Sequence, residues 1–328
     1  MFACTGSVFG SNLVVSKKWA EDHKLSAAST YKEKLAALKG ANIAITAAGG
    51  TPEDFLKIEF WAKDQAAGRA ALGERFPAHA IQVVPTTDRE AIPALLSLTQ
   101  YVDLCMPRGG EGLIRAVTEC SKVPVIKHYK GVCHVYVDRA ADFAMAESIV
   151  MNAKVQRPAV CNAAETLLVD SSIADQFLPR MAQLLTGKNV ELRADEAVFT
   201  RLSALKTENW KLKTASESDW FTEYNDYILN VRIVDGVKAA IDHINHHGSA
   251  HSDAIVTRDE AAARRFLAEV DSAAVYWNAS TRFTDGGEFG MGAEIGISTD
   301  RFHARGPVGL EQLTSYKYVV RGSGQIRP

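Results

Sequence analysis

The sequence predicts an α/β protein built around parallel sheet. Short apolar runs of four to six residues alternate with longer stretches of helical periodicity, the pattern of βαβ units. Two glycine pairs, Gly49-Gly50 and Gly109-Gly110, each follow a strand-like run and open a helix-like one. Either pair alone reads as a plain tight turn; together, in a parallel sheet, they would place free helix N–H groups beside a cleft, the arrangement that receives the phosphates of a dinucleotide. With 328 residues and 47% hydrophobic content, the chain can bury one large or two ordinary cores.

The elements follow in order. Thr30 and Glu33 form a capping box for a helix that Gly40 ends, and 42–46 is strand-like. Thr51 caps a second helix with Pro52 in its first position and Asp54 in its first turn. Residues 81–84 read as strand, 88–98 as helix, 101–106 as strand, 111–119 as helix and 123–126 as strand. A second α/β unit follows, with helix over 141–156, strand over 165–169 and helix over 172–186. The stretch holding Trp210, Trp220 and Tyr224 shows no clear period. Beyond it come strand 229–234, helix 236–246, strand 254–257, helix 259–270 and strand 274–277. The glycine-rich run 286–296 reads as turns, and 313–321 as a terminal strand.

A formal net charge of -2, without a basic stripe, supports neither nucleic-acid nor membrane-surface binding. Five widely spaced cysteines (Cys4, Cys105, Cys120, Cys133, Cys161), with no Cys-x-x-Cys, suggest a reduced, cytoplasmic protein. His243, His246, His247 and His251 are grouped, but no cysteine or carboxylate motif accompanies them. They read as a solvated helix end, and no metal site is expected. His128 and His134 are weak acid–base candidates.

Cys161 carries the most chemistry. Phe143, Ala146, Ile149, Val150 and Ala153 share one helical face, and Pro158 stops that helix, so the thiol falls on a short turn before an apolar strand. A cysteine on such a turn can face a cleft and act as a nucleophile.

The text around it, Asn-Ala-Lys-x-Gln-Arg-Pro-x-Val-Cys-Asn-Ala-x-Glu-Thr-Leu-Leu-Val over 152–169, resembles the active-cysteine segment of the gamma-glutamyl phosphate reductases. These enzymes, also called glutamate-5-semialdehyde dehydrogenases, belong to the aldehyde dehydrogenase superfamily. Further blocks resemble the family in the same order: 84–90, 107–114, 123–126, 131–138, 251–256, 278–298, 303–307 and 316–322. The resemblance runs from about Ala78 to the C-terminus. It implies an aldehyde dehydrogenase-like fold: a cofactor domain over 1–130 with an atypical N-terminus, a catalytic α/β domain over 131–300, and a C-terminal oligomerisation segment over 301–328.

The resemblance also implies NADPH-dependent reduction of L-glutamyl 5-phosphate to L-glutamate 5-semialdehyde in proline biosynthesis. Cys161 is the implied nucleophile, and its backbone N–H can meet the oxyanion. Arg108, Gly109, Gly110 and Glu223 are implied at the cofactor, and Arg157, Asn162 and Arg282 at the substrate. Residues 286–296 and Arg282 should then lie near Cys161. The chain departs from the family before residue 77: no Glu-Ser-Arg-Pro-Asn segment occurs, and alanine stands where the family has arginine before Gly49-Gly50. The competing readings are a folded remnant without a complete cofactor site, or a dehydrogenase oxidising another semialdehyde.

Overall fold

The computed structural model describes Val84 and residues 88–205, 210–292 and 294–327. The elements expected before residue 81, with Gly49-Gly50, lie outside the described residues.

The body is one seven-stranded sheet, parallel throughout. Its strands are β1 (Cys133–Val137), β2 (Ala164–Asp170), β3 (Glu191–Ala194), β4 (Leu212–Thr214), β5 (Ile228–Val234), β6 (Ser252–Val256) and β7 (Ala274–Trp277). Their spatial order is β4-β3-β5-β2-β1-β6-β7. Every residue of β1, β2 and β6 is buried, as central strands covered on both faces require.

The period of two sorts side chains between two helical layers. Val135, Val137, Leu167, Val169, Ala254 and Val256 join one core cluster. It also takes buried faces of α3 (Phe143–Val155), α4 (Ala174–Thr186) and α5 (Glu196–Ala204). The intervening Tyr136, Leu168 and Ile255 point the other way, to α6 (Gly236–His247) and α7 (Glu260–Glu269). Asp142, Asp195 and Asp259 accept hydrogen bonds from the first-turn N–H groups of α3, α5 and α7 and so set where those helices begin.

Earlier in the chain lie α1 (Ala91–Leu96) and α2 (Glu111–Cys120), packed with Val102, Cys105 and Val123. The strands expected over 101–106 and 123–126 shrink to one parallel bridge, Cys105 to Val125. Pro124 has no N–H to extend that ladder, and Pro107 follows closely. A short antiparallel pair, β8 (Gly296–Ser298) and β9 (Gly306–Val308), returns to this region. Val308 and Ala304 pack on Met106, with Leu104, Ile126, Ile295 and Leu313 around them.

Two expectations are corrected. Residues 313–321 form no strand; Tyr318 and Val320 are 86% and 90% exposed. An alternating segment with no neighbouring strand has nothing to bond to. The histidine group is not a solvated helix end either: His243 and His247 are buried on α6, and His251 is buried at the entry to β6. Among the described residues, no helix is long and apolar enough to cross a membrane.

Candidate active site

A cleft of about 630 Å³ opens at the amino end of the sheet. Its walls come from four separate stretches: Met106–Glu111 with Lys127–Lys130, the Cys161 turn, Phe221–Asn225, and Ile295–Ile297. Cys161 precedes β2, Glu223 precedes β5, and His128 precedes β1, so the strands deliver these groups from their starting ends.

The thiol turn is braced at both ends. α3 ends at Val155 and β2 begins at Ala164. Lys154 Nζ donates to Glu165 Oε2 at 2.7 Å between those ends, with both side chains fully buried. Burial pushes Glu165 up to about 8 and Lys154 down, each toward its neutral form. Their contact offsets that desolvation and closes the turn like a clasp.

Beneath the thiol, Gly131 passes so near that a Cβ there would lie 1.8 Å from the Cys161 carbonyl oxygen. Only glycine allows that approach. The buried Cys133 thiol donates to the same carbonyl at 3.2 Å, and Thr281 Oγ1 donates to the Asn162 carbonyl at 2.7 Å. The backbone of residues 161–162 is thereby held from two sides.

Arg282 lies on a short 3-10 turn, Thr281–Phe283. Its guanidinium donates to Asn162 Oδ1 and, at 2.8 Å, to Gln156 Oε1. Asn162 Nδ2 donates back to the Thr284 carbonyl at 2.9 Å. The buried Asn162 side chain therefore holds the Arg282 turn against the thiol turn. Burial and the nearby Arg157 charge both lower the Arg282 pKa, so the two guanidinium groups share one field.

Burial pushes the Cys161 thiol up to about 12, and Glu223 and Glu294 add to that, while its own backbone N–H and Arg282 oppose it. The thiol therefore keeps its proton near neutral pH. The carboxyls of Glu223 and Glu294 are also raised by burial, Glu294 to about 7. Glu223 accepts from the Gly131 N–H, and Glu294 Oε2 accepts from the Gly286 N–H at 2.9 Å.

Arg108, Gly109, Gly110 and Glu223 all line the cleft with Cys161. Gly110 is the N-cap of the ten-residue α2, with no side-chain cap, and has open space where a Cβ would stand. Uncapped N–H groups beside a guanidinium fit a dinucleotide phosphate. The three residues expected at the substrate, Arg157, Asn162 and Arg282, all fall outside the residues lining the cleft, with Arg157 near Arg282 and Asn162 bonded to it. Ile295 and Gly296, from the run 286–296, line the cleft, and Glu294 acts on Cys161 electrostatically.

Sequence reasoning missed Gly131, Glu294 and His251. The first two lie inside the quoted blocks, but only a three-dimensional approach marks them. His251 was grouped with the wrong element.

No family model matches the chain. Curated relatives do. A gamma-glutamyl phosphate reductase of Opitutus terrae is 58% identical over 260 residues, 79% of this chain and 60% of that protein. One of Geobacter metallireducens is 55% identical over 251 residues, 76% of this chain and 58% of that protein. The crystal structure of gamma-glutamyl phosphate reductase from Thermotoga maritima superposes with a TM-score of 0.78 at 44% identity, covering 83% of this chain and 64% of that one. The chain is a relative of the gamma-glutamyl phosphate reductases. It spans about three fifths of the length of the curated relatives it matches. An acetylating aldehyde dehydrogenase of Geobacillus thermoglucosidasius shares the fold, with a TM-score of 0.57 at 18% identity, over 84% of this chain and 68% of that one. The fold around Cys161 is thus aldehyde dehydrogenase-like, as the family resemblance implies.

Proposed function

We propose that this chain reduces L-glutamyl 5-phosphate to L-glutamate 5-semialdehyde with NADPH, releasing phosphate, in cytoplasmic proline biosynthesis. One observation carries the reading: the braced Cys161 turn faces a cleft that also holds Arg108-Gly109-Gly110 and Glu223. The relatives' shared name supports it over an inactive remnant.

Arg282, steadied by Asn162 and Gln156, draws the anionic substrate toward the thiol, with Arg157 adding to the field. Cys161 Sγ attacks the acyl carbon. A carbon–sulfur bond forms, the carbon–oxygen bond to phosphate breaks, and phosphate leaves. The thiol proton passes to Glu223 or Glu294, the two raised carboxyls acting on it. Arg108 and the N–H groups after Gly110 would hold the dinucleotide diphosphate, and Glu223 the nicotinamide ribose. The hydride for the thioester carbon is what NADPH supplies when bound. The exposed Tyr316, Tyr318, Val319 and Val320 are the surface for pairing with a second copy.

The test runs the reaction backwards. Purified protein with glutamate semialdehyde, phosphate and NADP⁺ should form NADPH. Cys161→Ala should reduce that rate by three orders of magnitude or more, while the exposed Cys120→Ala should leave it intact. Turnover that does not depend on phosphate removes the acyl-phosphate assignment.

A further inference from the structure

We propose that Cys161, His128 and His251 form a binding site for zinc or a similar borderline-soft divalent cation at the floor of the cleft. One ligand atom from each residue lies within 4.8 Å of the other two. The three residues come from the entries to β2, β1 and β6, which the parallel sheet sets side by side.

The hydrogen bond at His128 leaves the right lone pair free. His128 Nδ1 lies 2.9 Å from the Ile297 carbonyl oxygen, which can only accept, so that nitrogen carries the hydrogen. Its Nε2 is then the acceptor. His251 is fully buried, and its Nδ1 is engaged by Ser252 Oγ at 2.8 Å. Its Nε2 has no hydrogen-bond partner among the described residues. A buried imidazole nitrogen without a partner costs free energy that a metal would recover. Such outer contacts are how proteins set the tautomer of metal-binding histidines.

Two imidazoles and one thiolate are zinc ligands in known combination, and three protein ligands leave a fourth position open to the cleft. Tetrahedral ligand atoms sit about 3.3–3.8 Å apart, so closing the site needs a shift of about 1 Å, within reach of the Cys161 side chain. On binding, Cys161 gives its proton to solvent and the sulfur becomes a thiolate bonded to the metal. Where Cys161 is the nucleophile of the proposed reaction, the cation would occupy it and block acylation. The binding itself does not rest on that reading.

Cobalt(II) is the probe, because a thiolate ligand gives it a near-ultraviolet charge-transfer band and tetrahedral geometry gives visible bands. The full chain is titrated under reducing conditions, and zinc is then added to displace cobalt. One equivalent should develop both bands, and zinc should remove them. Cys161→Ala should lose the charge-transfer band, and His128→Asn should weaken binding at least tenfold. His128 is only partly buried, so that variant tests the site without removing a core side chain; circular dichroism verifies its fold. Unchanged binding by His128→Asn, or a band that survives in Cys161→Ala, would overturn the site. Inhibition of turnover is read separately: a protein that binds cobalt as described but does not reduce glutamyl phosphate keeps the metal site and loses the proposed function.

Discussion

The two ends of the central sheet treat polar groups in opposite ways. At the carboxyl end they are paired. Tyr136 Oη lies 3.0 Å from Asp138 Oδ1 and 3.1 Å from Asp170 Oδ2. Thr257 Oγ1 donates to Asp138 and Ser172 Oγ to Asp170, while Asn278 exchanges two 2.9 Å bonds with the Thr257 backbone. At the amino end stand a thiol pushed up to about 12, raised carboxyls at Glu165, Glu223 and Glu294, and a histidine nitrogen, His251 Nε2, with no partner among the described residues. Ligands of open α/β sheets usually bind beyond the carboxyl ends of the strands. Here that end is closed by its own hydrogen bonds, and the reactive groups gather where the strands begin. Unmet polar demand locates the site better than the usual rule of the fold does.

Substitutions at the two ends should separate activity from stability. After loss of the thiol itself, Gly131→Ala should have the largest effect on turnover. Its methyl group displaces the Cys161 carbonyl by about 1 Å or more, and such misplacement costs about 10²-fold in kcat. Wild-type kcat in a folded Gly131→Ala protein would show that the carbonyl does not position the thiol. Lys154→Met leaves Glu165 buried without its partner and should cost about 3–5 kcal/mol in urea unfolding. Adding Glu165→Leu should recover most of that loss; if it does not, the pair contributes something other than mutual neutralisation.

At the carboxyl end, Tyr136→Phe removes the hydroxyl between two buried aspartates. It should cost about 1–3 kcal/mol of stability while leaving kcat unchanged. A fall in kcat would mean that the two ends are coupled.

The smallest effect is a pH slope. Burial raises the Glu294 pKa from 4.5 to about 7, so the folded protein holds this proton more tightly than the unfolded chain. The stability from this group is full below pH 4.5 and is lost as pH rises toward 7. Glu294→Gln should flatten that part of the stability curve. An identical slope in the variant would place the proton elsewhere.

Much of the framework was legible from periodicity. β2, β5, β6 and β7 and the helices around them fall close to their expected places, because buried strands and one-sided helices write their pattern into the chain. β1 is not among the strands read from the sequence: Cys133-His-Val-Tyr-Val137 is buried on both faces, and His134 is tolerable there only because Asp253 Oδ1 lies 2.8 Å away. β3, β4 and α5 are also absent from the sequence reading, since strands of four and three residues, one at the sheet edge and one beside it, leave too short a signal. In the candidate site, Cys161 and Glu223 stood out through the family segment. Gly131 did not, because nothing in its neighbours reveals a carbonyl arriving from thirty residues downstream.

The cleft also has a history in time. Its walls are drawn from residues 106 to 297, and the His128 ring is tied to the Ile297 carbonyl 169 positions away. A ribosome adding 5–20 residues per second needs roughly 7–27 s to travel from the codon for Cys161 to that for Ile297. Until then the nascent chain carries its thiol with no β8 beside it. A chain stalled in that interval presents the cysteine without one wall of its cleft, more open to oxidants and alkylating agents than in the finished protein.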